Sequence, residues 1–388
     1  MSTTPLRIGM ITPSSNTCLE PTTYRLLAGR DDVTVHFARL PVTRIALDDS
    51  SNGQFTEEAM AAAARQLADA RVDVVVWNGT AGSWLGVDHD VALAGRLTDV
   101  AGVPATTSTL ALLEACRVYG VTRLGLATPY TEDVNQRISE TYAARGVAVV
   151  ARSALGISDN EAFARVPSST VADQLREVVD DAHAVAVLCT NVHGALLAEP
   201  LEAELGVPVL DSVTVTLWHA LSLVGTDGTP GFGTLLRDGF VRSRMQRLCE
   251  ELLEATGADR TTVRLDVPEH GLHVDLTAAE GLRPGVRAIR REGSLDQRRL
   301  NTVEWLEAER RNLVQPRFGP PPMPPQALID VYGVNAQLLG PVEHDGAMTG
   351  WFSAHSLTER DWSDKDLAAM DEARAAAEAV IDEIHRED

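Results

Sequence analysis

The sequence predicts an α/β protein made of two related parallel-sheet lobes followed by a separate α+β module. Three observations carry that expectation. Over the first 225 residues, short apolar runs alternate with helical patterns, the signature of βα units. The pattern also repeats. Arg7-Ile-Gly-Met-Ile-Thr-Pro13 recurs as Arg123-Leu-Gly-Leu-Ala-Thr-Pro129, and Val74-Val-Val-Trp-Asn-Gly79-Thr80 recurs, one residue shorter, as Val185-Ala-Val-Leu-Cys189-Thr190. Gly102-Val-Pro with Ser108 returns as Gly206-Val-Pro with Ser212, so the offsets run 116, 110 and 104 in order. Finally, the regularity breaks in a Gly/Thr/Asp-rich stretch, TDGTPGFGTLLRD, which reads as a linker over 226–239. The expected organisation is lobes over about 1–115 and 116–225, the linker, and a second module over 240–388.

Taken in order, Ile8–Ile11 reads as a strand ending in the polar loop Thr12–Thr17. Thr56 caps a helix to Ala70 that opens on two glutamates. Val74–Trp77 is the next strand, with Asn78–Ser83 behind it. In the second lobe, strands Leu124–Ala127 and Val185–Leu188 end in Thr128-Pro-Tyr130 and Cys189-Thr-Asn191, while Thr131–Ala144 and Ser169–Asp181 read as helices. Beyond the linker, a helix is expected over Val241–Ala255. Strands are expected at Thr261–Val267, Leu272–Leu276, Val286–Arg290, Val331–Leu339 and Gly346–Ala354. A proline-rich loop covers Phe318–Pro325, and an amphipathic closing helix runs from Ser363 to Glu383.

Composition narrows the function. The chain has 388 residues, 34 basic against 55 acidic, and a formal charge of −21. Such a surface repels phosphate backbones and anionic lipid, so neither nucleic acid nor membrane is an expected partner. The only lysine is Lys365. A P-loop needs a lysine behind its glycines and pyridoxal phosphate needs a Schiff-base lysine in its pocket. No signal peptide or long apolar span is recognisable, and the four cysteines form no disulfide framework, so a cytoplasmic protein with reduced thiols is expected. The ten histidines make no metal-ligand spacing; His270 and His273 read as solvent-facing, and neither metal nor cofactor is expected.

In parallel α/β sheets, ligands gather beyond the C-terminal ends of the strands. All four such loops here are small and polar, with backbone N–H groups suited to an anion. The repeat makes Gly79 the positional partner of Cys189, and that asymmetry singles out Cys189 as the functional thiol. Cys116 and Cys249 read as buried hydrophobes and Cys18 as a weaker candidate.

Together, Pro13-Ser14-Ser15-Asn16-Thr, Gly79-Thr80-Ala81-Gly-Ser83, Thr128-Pro-Tyr130, Ser158-Asp-Asn160 and Cys189-Thr190-Asn191 resemble the aspartate/glutamate racemase superfamily. The nearest branches are maleate cis-trans isomerase and arylmalonate decarboxylase. The resemblance covers about residues 5–225 and implies two pseudo-symmetric lobes with the active site between them. Typical racemases and isomerases of the superfamily carry a thiol in each lobe; here the first is replaced by Gly79. Two-base racemisation needs an acid and a base on opposite faces of a planar intermediate. The isomerase route needs the first thiol as nucleophile. Decarboxylation needs only one thiol, which protonates the enediolate left when CO₂ departs.

The resemblance therefore implies a cofactor-independent decarboxylase of a small malonate-type dicarboxylate, with a maleate-isomerase-like enzyme and a non-catalytic metabolite sensor as alternatives. It makes Cys189 the proton donor, and it implies a dioxyanion pocket of Thr80, the Ala81 backbone, Tyr130 and the Thr190 N–H. Well-placed donors of that kind are worth roughly 3–4 kcal/mol each. Asn16 and Asn160 match carboxylate-binding asparagines of the maleate isomerases, with Pro13, Ser14 and Ser15 in the same loop, a feature the decarboxylase branch does not share. Leu40, Pro41 and Val42 would form an apolar wall, Arg44 is a candidate clamp, and His193 is placed to assist Cys189. A low thiol pKa at Cys189 would argue against the sensor, and Gly79→Cys should create racemase activity if the two positions face each other.

The C-terminal third, with Tyr332-Gly-Val-Asn, His344-Asp-Gly346, Gly350-Trp-Phe-Ser-Ala-His355 and Trp362-Ser-Asp364, resembles the closing half of a GAF domain. That resemblance implies a small-ligand module and association as a homo-oligomer through its flanking helices. Trp305, Trp351 and Trp362 are expected in its core.

Overall fold

The structure, a computed structural model, describes residues 5–47, 56–226, 228–229, 231–291, 293 and 295–387. Asp227 and Pro230 of the predicted linker lie outside them. By contacts the chain divides into two compact units, one of residues 1–117 with 121–240 and one of residues 118–120 with 241–388.

The first unit holds two four-stranded parallel sheets of the same topology. Strands β1 (Leu6–Pro13), β2 (Val33–Leu40), β3 (Val74–Trp77) and β4 (Ala105–Thr107) lie in the order β2-β1-β3-β4. Strands β5 (Arg123–Thr128), β6 (Ala148–Ala154), β7 (Ala184–Val187) and β8 (Val209–Asp211) lie in the order β6-β5-β7-β8. The repeat extends to single hydrogen bonds. Asp73 N donates to Arg7 O as His183 N does to Arg123 O, both at 2.8 Å. Asn78 N donates to Ile11 O as Leu188 N does to Ala127 O. Gly102 and Gly206 both end their helices at φ +71°, a left-handed conformation in which glycine carries no Cβ penalty. The matched glycines of β1 and β5 answer to close packing instead. A Cβ on Gly125 would stand 2.1 Å from the Val178 carbonyl oxygen, and one on Gly9 would stand 3.1 Å from Leu67.

These sheets are buried on both faces, so β3 and β7 read as unbroken apolar runs, every residue buried. The lobes join through the helices that follow β4 and β8. Ser212–Leu223 is buried from Ser212 through Trp218, and Thr216 Oγ1 donates to Ser108 Oγ at 2.8 Å from one lobe to the other. This junction leaves the loops after β1, β3, β5 and β7 close together.

The second unit is built on an antiparallel sheet with the order β10-β9-β13-β12-β11. Its strands are β9 (Arg260–Leu265), β10 (Ala279–Leu282), β11 (Leu313–Gln315), β12 (Ala336–His344) and β13 (Ala347–Ser356). Helices Thr234–Thr256 and Asp364–Glu387 supply Met245, Cys249, Met370 and Ile381 to a core with Val263, Leu338 and Phe352. The first of these helices begins at Thr234, so residues 234–239 are helical rather than linker.

Two expected strands are absent. Leu272–Leu276 contributes one isolated bridge, Val267 to Leu272. Val286–Arg290 alternates like a strand, but the N–H groups of Ile289 and Arg290 donate to the buried Glu280 carboxylate at 2.8 and 3.2 Å. A side chain there takes the bonds a neighbouring strand would make. Strands β10 and β11 escaped the sequence reading because each spans only three or four residues. A cavity of about 160 Å³ opens beside the sheet, lined among others by Leu328, Tyr332, Gln337, Leu339, Trp351 and His355. Burial drives the His355 pKa down to about 3, so that ring is neutral.

Candidate active site

Cys189 follows β7 by two residues, as Gly79 follows β3. Its side chain is 2 % exposed, and Asn191 N–H donates to Sγ at 3.3 Å. Tyr130, just past β5, is buried close enough to act on the titration of the same thiol. The phenol oxygen lies 2.7 Å from Thr80 Oγ1, so Thr80 and Tyr130 form one hydrogen-bonded pair. Tyr130 is fixed edge-on between Trp84 and Phe163, with ring centroids 5.4 Å away on both sides.

Electrostatics keep this thiol protonated. Burial pushes the Cys189 pKa up to about 12, opposed by the Asn191 hydrogen bond and by Tyr130. The low thiol pKa that would argue against a metabolite sensor is therefore not found, chiefly because the thiol is buried. Burial also raises Tyr130 well above the ordinary phenol value. Cys189 with Tyr130 is thus an arrangement able to donate a proton and to hydrogen-bond an oxyanion, and not one that presents a thiolate at neutral pH.

The asparagine loops are knotted across the lobes. Asn16 Nδ2 donates to both the carbonyl and the hydroxyl oxygen of Thr190 at 3.1 Å, and its Oδ1 accepts from Cys18 N–H and Leu19 N–H at 3.0 and 2.9 Å. Those four bonds satisfy the amide completely. Asn16 here caps the helix Leu19–Leu26, whose own first residues offer no side-chain cap. Thr190 Oγ1 in turn donates to Asn78 O. Asn160 Nδ2 donates to Ser15 Oγ at 2.7 Å, Ser15 Oγ donates to Val42 O at 2.6 Å, and Ser14 Oγ accepts from Val42 N–H at 3.3 Å. Pro13 and Ala81 are buried beside these loops, and Ser14 is exposed.

Other residues fall elsewhere. His193 is exposed and pairs with Cys18, whose Sγ lies 3.5 Å from Nε2, while the same ring contacts Ala164 O at 3.1 Å. Its partner is therefore Cys18 and not Cys189. Arg44 is exposed on a backbone bridge to Asp159. Val42 and Leu40 are buried, whereas Pro41 is exposed.

Three residues that sequence reasoning passed over belong to this neighbourhood. Asn191 Oδ1 accepts from Thr17 N–H and Cys18 N–H, and its Nδ2 donates to Asn160 O. Asp211 is fully buried and caps the helix Ser212–Leu223. Its Oδ1 accepts from Val213 and Thr214 N–H, and burial raises its pKa to about 7. Trp77, the last residue of β3, lies against Gly79. A Cβ built on Gly79 would stand 2.2 Å from two carbons of the indole. Gly79→Cys therefore does not fit as a simple restoration of a thiol. The bulky Trp77, opposite Val187 in the repeat, was the available signal.

Two pseudo-symmetric lobes, with the buried Cys189 thiol at a strand end beside a clustered set of hydroxyl and amide donors, define a racemase-like class of protein. Residues 8–236 match the arylmalonate decarboxylase family and residues 241–381 match the GAF domain. The chain belongs to the arylmalonate decarboxylase family and carries a C-terminal GAF domain. It is similar to the arylmalonate decarboxylase of Bordetella bronchiseptica, 33% identical over 178 residues that span 44% of this chain and 74% of the relative. The maleate isomerase of Geobacillus stearothermophilus is 26% identical over 245 residues, 59% of this chain and 96% of the relative. Among solved structures, a liganded glycine-to-cysteine, cysteine-to-serine double mutant of arylmalonate decarboxylase superposes with a TM-score of 0.54 at 28% identity, covering 60% of this chain and 98% of that one. A cysteine-to-alanine variant of the maleate isomerase of Pseudomonas putida S16 with maleate gives 0.53 at 26% identity, covering 60% and 97%.

Proposed function

We propose that the first unit is a cofactor-independent decarboxylase of a small malonate-type dicarboxylate, with Cys189 as its proton donor. The observation that carries this reading is the buried thiol of Cys189, hydrogen-bonded by Asn191 N–H, at the second-lobe position whose repeat partner in the first lobe is Gly79. The Cα–carboxylate bond breaks, CO₂ leaves, and the electron pair remains on Cα as an enediolate. Thr80, Tyr130 and backbone N–H groups at Ala81 and Thr190 hold its oxygens. Cys189 S–H gives its proton to Cα, and solvent reprotonates the thiolate. The net reaction consumes one proton per CO₂ released. Pro13, Ser14, Ser15 and Asn160 shape the entrance side of the pocket, and Asn16 holds the loop in place.

Cys189→Ala should abolish CO₂ release from every malonate that the wild type decarboxylates, whereas Cys116→Ala should leave it intact. Full activity in Cys189→Ala would overturn the reading. The Ser-Ser-Asn loop at 14–16 favours a second reading, isomerisation of a cis-enedioate. Turnover in D₂O separates the two, because decarboxylation leaves one solvent deuteron on Cα with a single configuration and isomerisation releases no CO₂. For the GAF domain we propose that the cavity beside Trp351 and His355 takes a small ligand.

A further inference from the structure

We infer that Trp77 is a specificity-determining residue: its indole fills the first-lobe position from which a second acid or base would act. It thereby confines proton delivery to the Cys189 side. This rests on the decarboxylase reading above.

β3 and β7 have the same register against their neighbours, with Ile8 opposite Val74 and Leu124 opposite Ala184. Gly79 and Cys189 each stand two residues beyond those strands, and Trp77 and Val187 are the last residues within them. The two lobes thus exchange bulk between matched positions: large then none in the first, small then a thiol in the second.

The exchange is steric. An ideal Cβ on Gly79 would lie 2.2 Å from Trp77 Cε2, 2.2 Å from Cζ2 and 2.6 Å from Nε1. Carbon atoms pack at about 3.5–4.0 Å, so no side chain coexists with the ring in this position. The clash is with the body of a rigid bicycle that is 1 % exposed, not with the tip of a flexible chain. Thr80, the residue after Gly79, hydrogen-bonds Tyr130 at 2.7 Å, so the ring stands beside the first-lobe donors of the site. An indole has no group that exchanges a proton near neutral pH. An enediolate held here meets a thiol on one face and an aromatic wall on the other.

The test is a double-mutant cycle on the full chain with Gly79→Cys, Trp77→Val and the pair together. Melting temperature and loss of the α-proton from each enantiomer of the product acid in D₂O are followed. Gly79→Cys alone should melt several degrees below the wild type and exchange only one enantiomer. The pair should melt near Trp77→Val and exchange both enantiomers, about a hundredfold faster for the second than Gly79→Cys does. Gly79→Ala, which adds only the Cβ, carries the same melting test if the cysteine variant does not fold. A Gly79→Cys protein that melts like wild type, or that exchanges both enantiomers as fast as the pair, would overturn the role of Trp77. A wild type that decarboxylates no malonate would instead sink the decarboxylase reading, and the melting temperatures alone would then decide whether Trp77 fills the position.

Discussion

At Cys189 the decisive quantity is the protonation state. With burial holding the thiol near 12, the donor form is complete across the neutral range and is lost only as pH rises through that value. A proton-donor mechanism therefore predicts a kcat with no thiol-linked change between pH 6 and 9. A thiolate nucleophile predicts kcat climbing about tenfold per pH unit over the same range. A pH–rate profile on a malonate distinguishes them. Tyr130 and Thr80 form one hydrogen-bonded pair, so their effects should not add. Tyr130→Phe should lower kcat by about 10²–10³, the range for losing one oxyanion donor. Adding Thr80→Val should lower it little further, and single-turnover kinetics on the three variants would show this. Neither the closeness of Tyr130 to the sulfur nor the thiol pKa was legible in the sequence, because both depend on how β5 and β7 bring distant residues together. The position of the thiol was legible, since the repeat alone paired it with a glycine.

The elements around the site are held by buried polar groups whose pairing sets their stability. Removing the Asn16 amide with Asn16→Ala strips the Thr190 carbonyl of a donor and Leu19 N–H of an acceptor. This should cost about 2–3 kcal/mol, read as a lower urea midpoint. At the head of the helix Ser212–Leu223, Asp211 titrates near 7 when folded, well above about 3.9 when unfolded. Its folded pKa is raised, so its contribution to stability is fully present below pH 4 and is lost as pH rises through 7. The wild type should lose melting temperature between pH 5 and pH 8 by more than Asp211→Asn does. Equal slopes by calorimetry would show that Asp211 does not carry the dependence. The same contrast explains which elements were legible. Strands β1, β3, β5 and β7 announce themselves by apolar runs that recur. Val286–Arg290 mimics a strand, but its partner is the Glu280 side chain, and a single sequence does not reveal that its N–H groups turn to a carboxylate.

For the whole molecule, the internal repeat made the two-lobed fold legible, and the break after it pointed to the GAF domain. The repeat already sets Trp77/Gly79 against Val187/Cys189, but the steric conflict between the indole and a Cβ at 79 appears only in space. The net charge of −21 acts at this scale too. A malonate dianion approaching so acidic a surface is repelled at long range, and salt screens that repulsion, with a Debye length near 10 Å at 0.1 M and about 30 Å at 0.01 M. The capture step should therefore speed up with ionic strength. At the proposed site the substrate would meet buried hydroxyl, amide and thiol groups, where bulk salt screens little, so the chemical step should not respond. The prediction is that kcat/KM for a dianionic malonate rises between 0.01 and 0.3 M NaCl while kcat stays constant, and that a monoester of the same acid shows a smaller rise. If kcat/KM instead falls with salt, a local positive field must outweigh the acidic surface, and the repulsion reading fails.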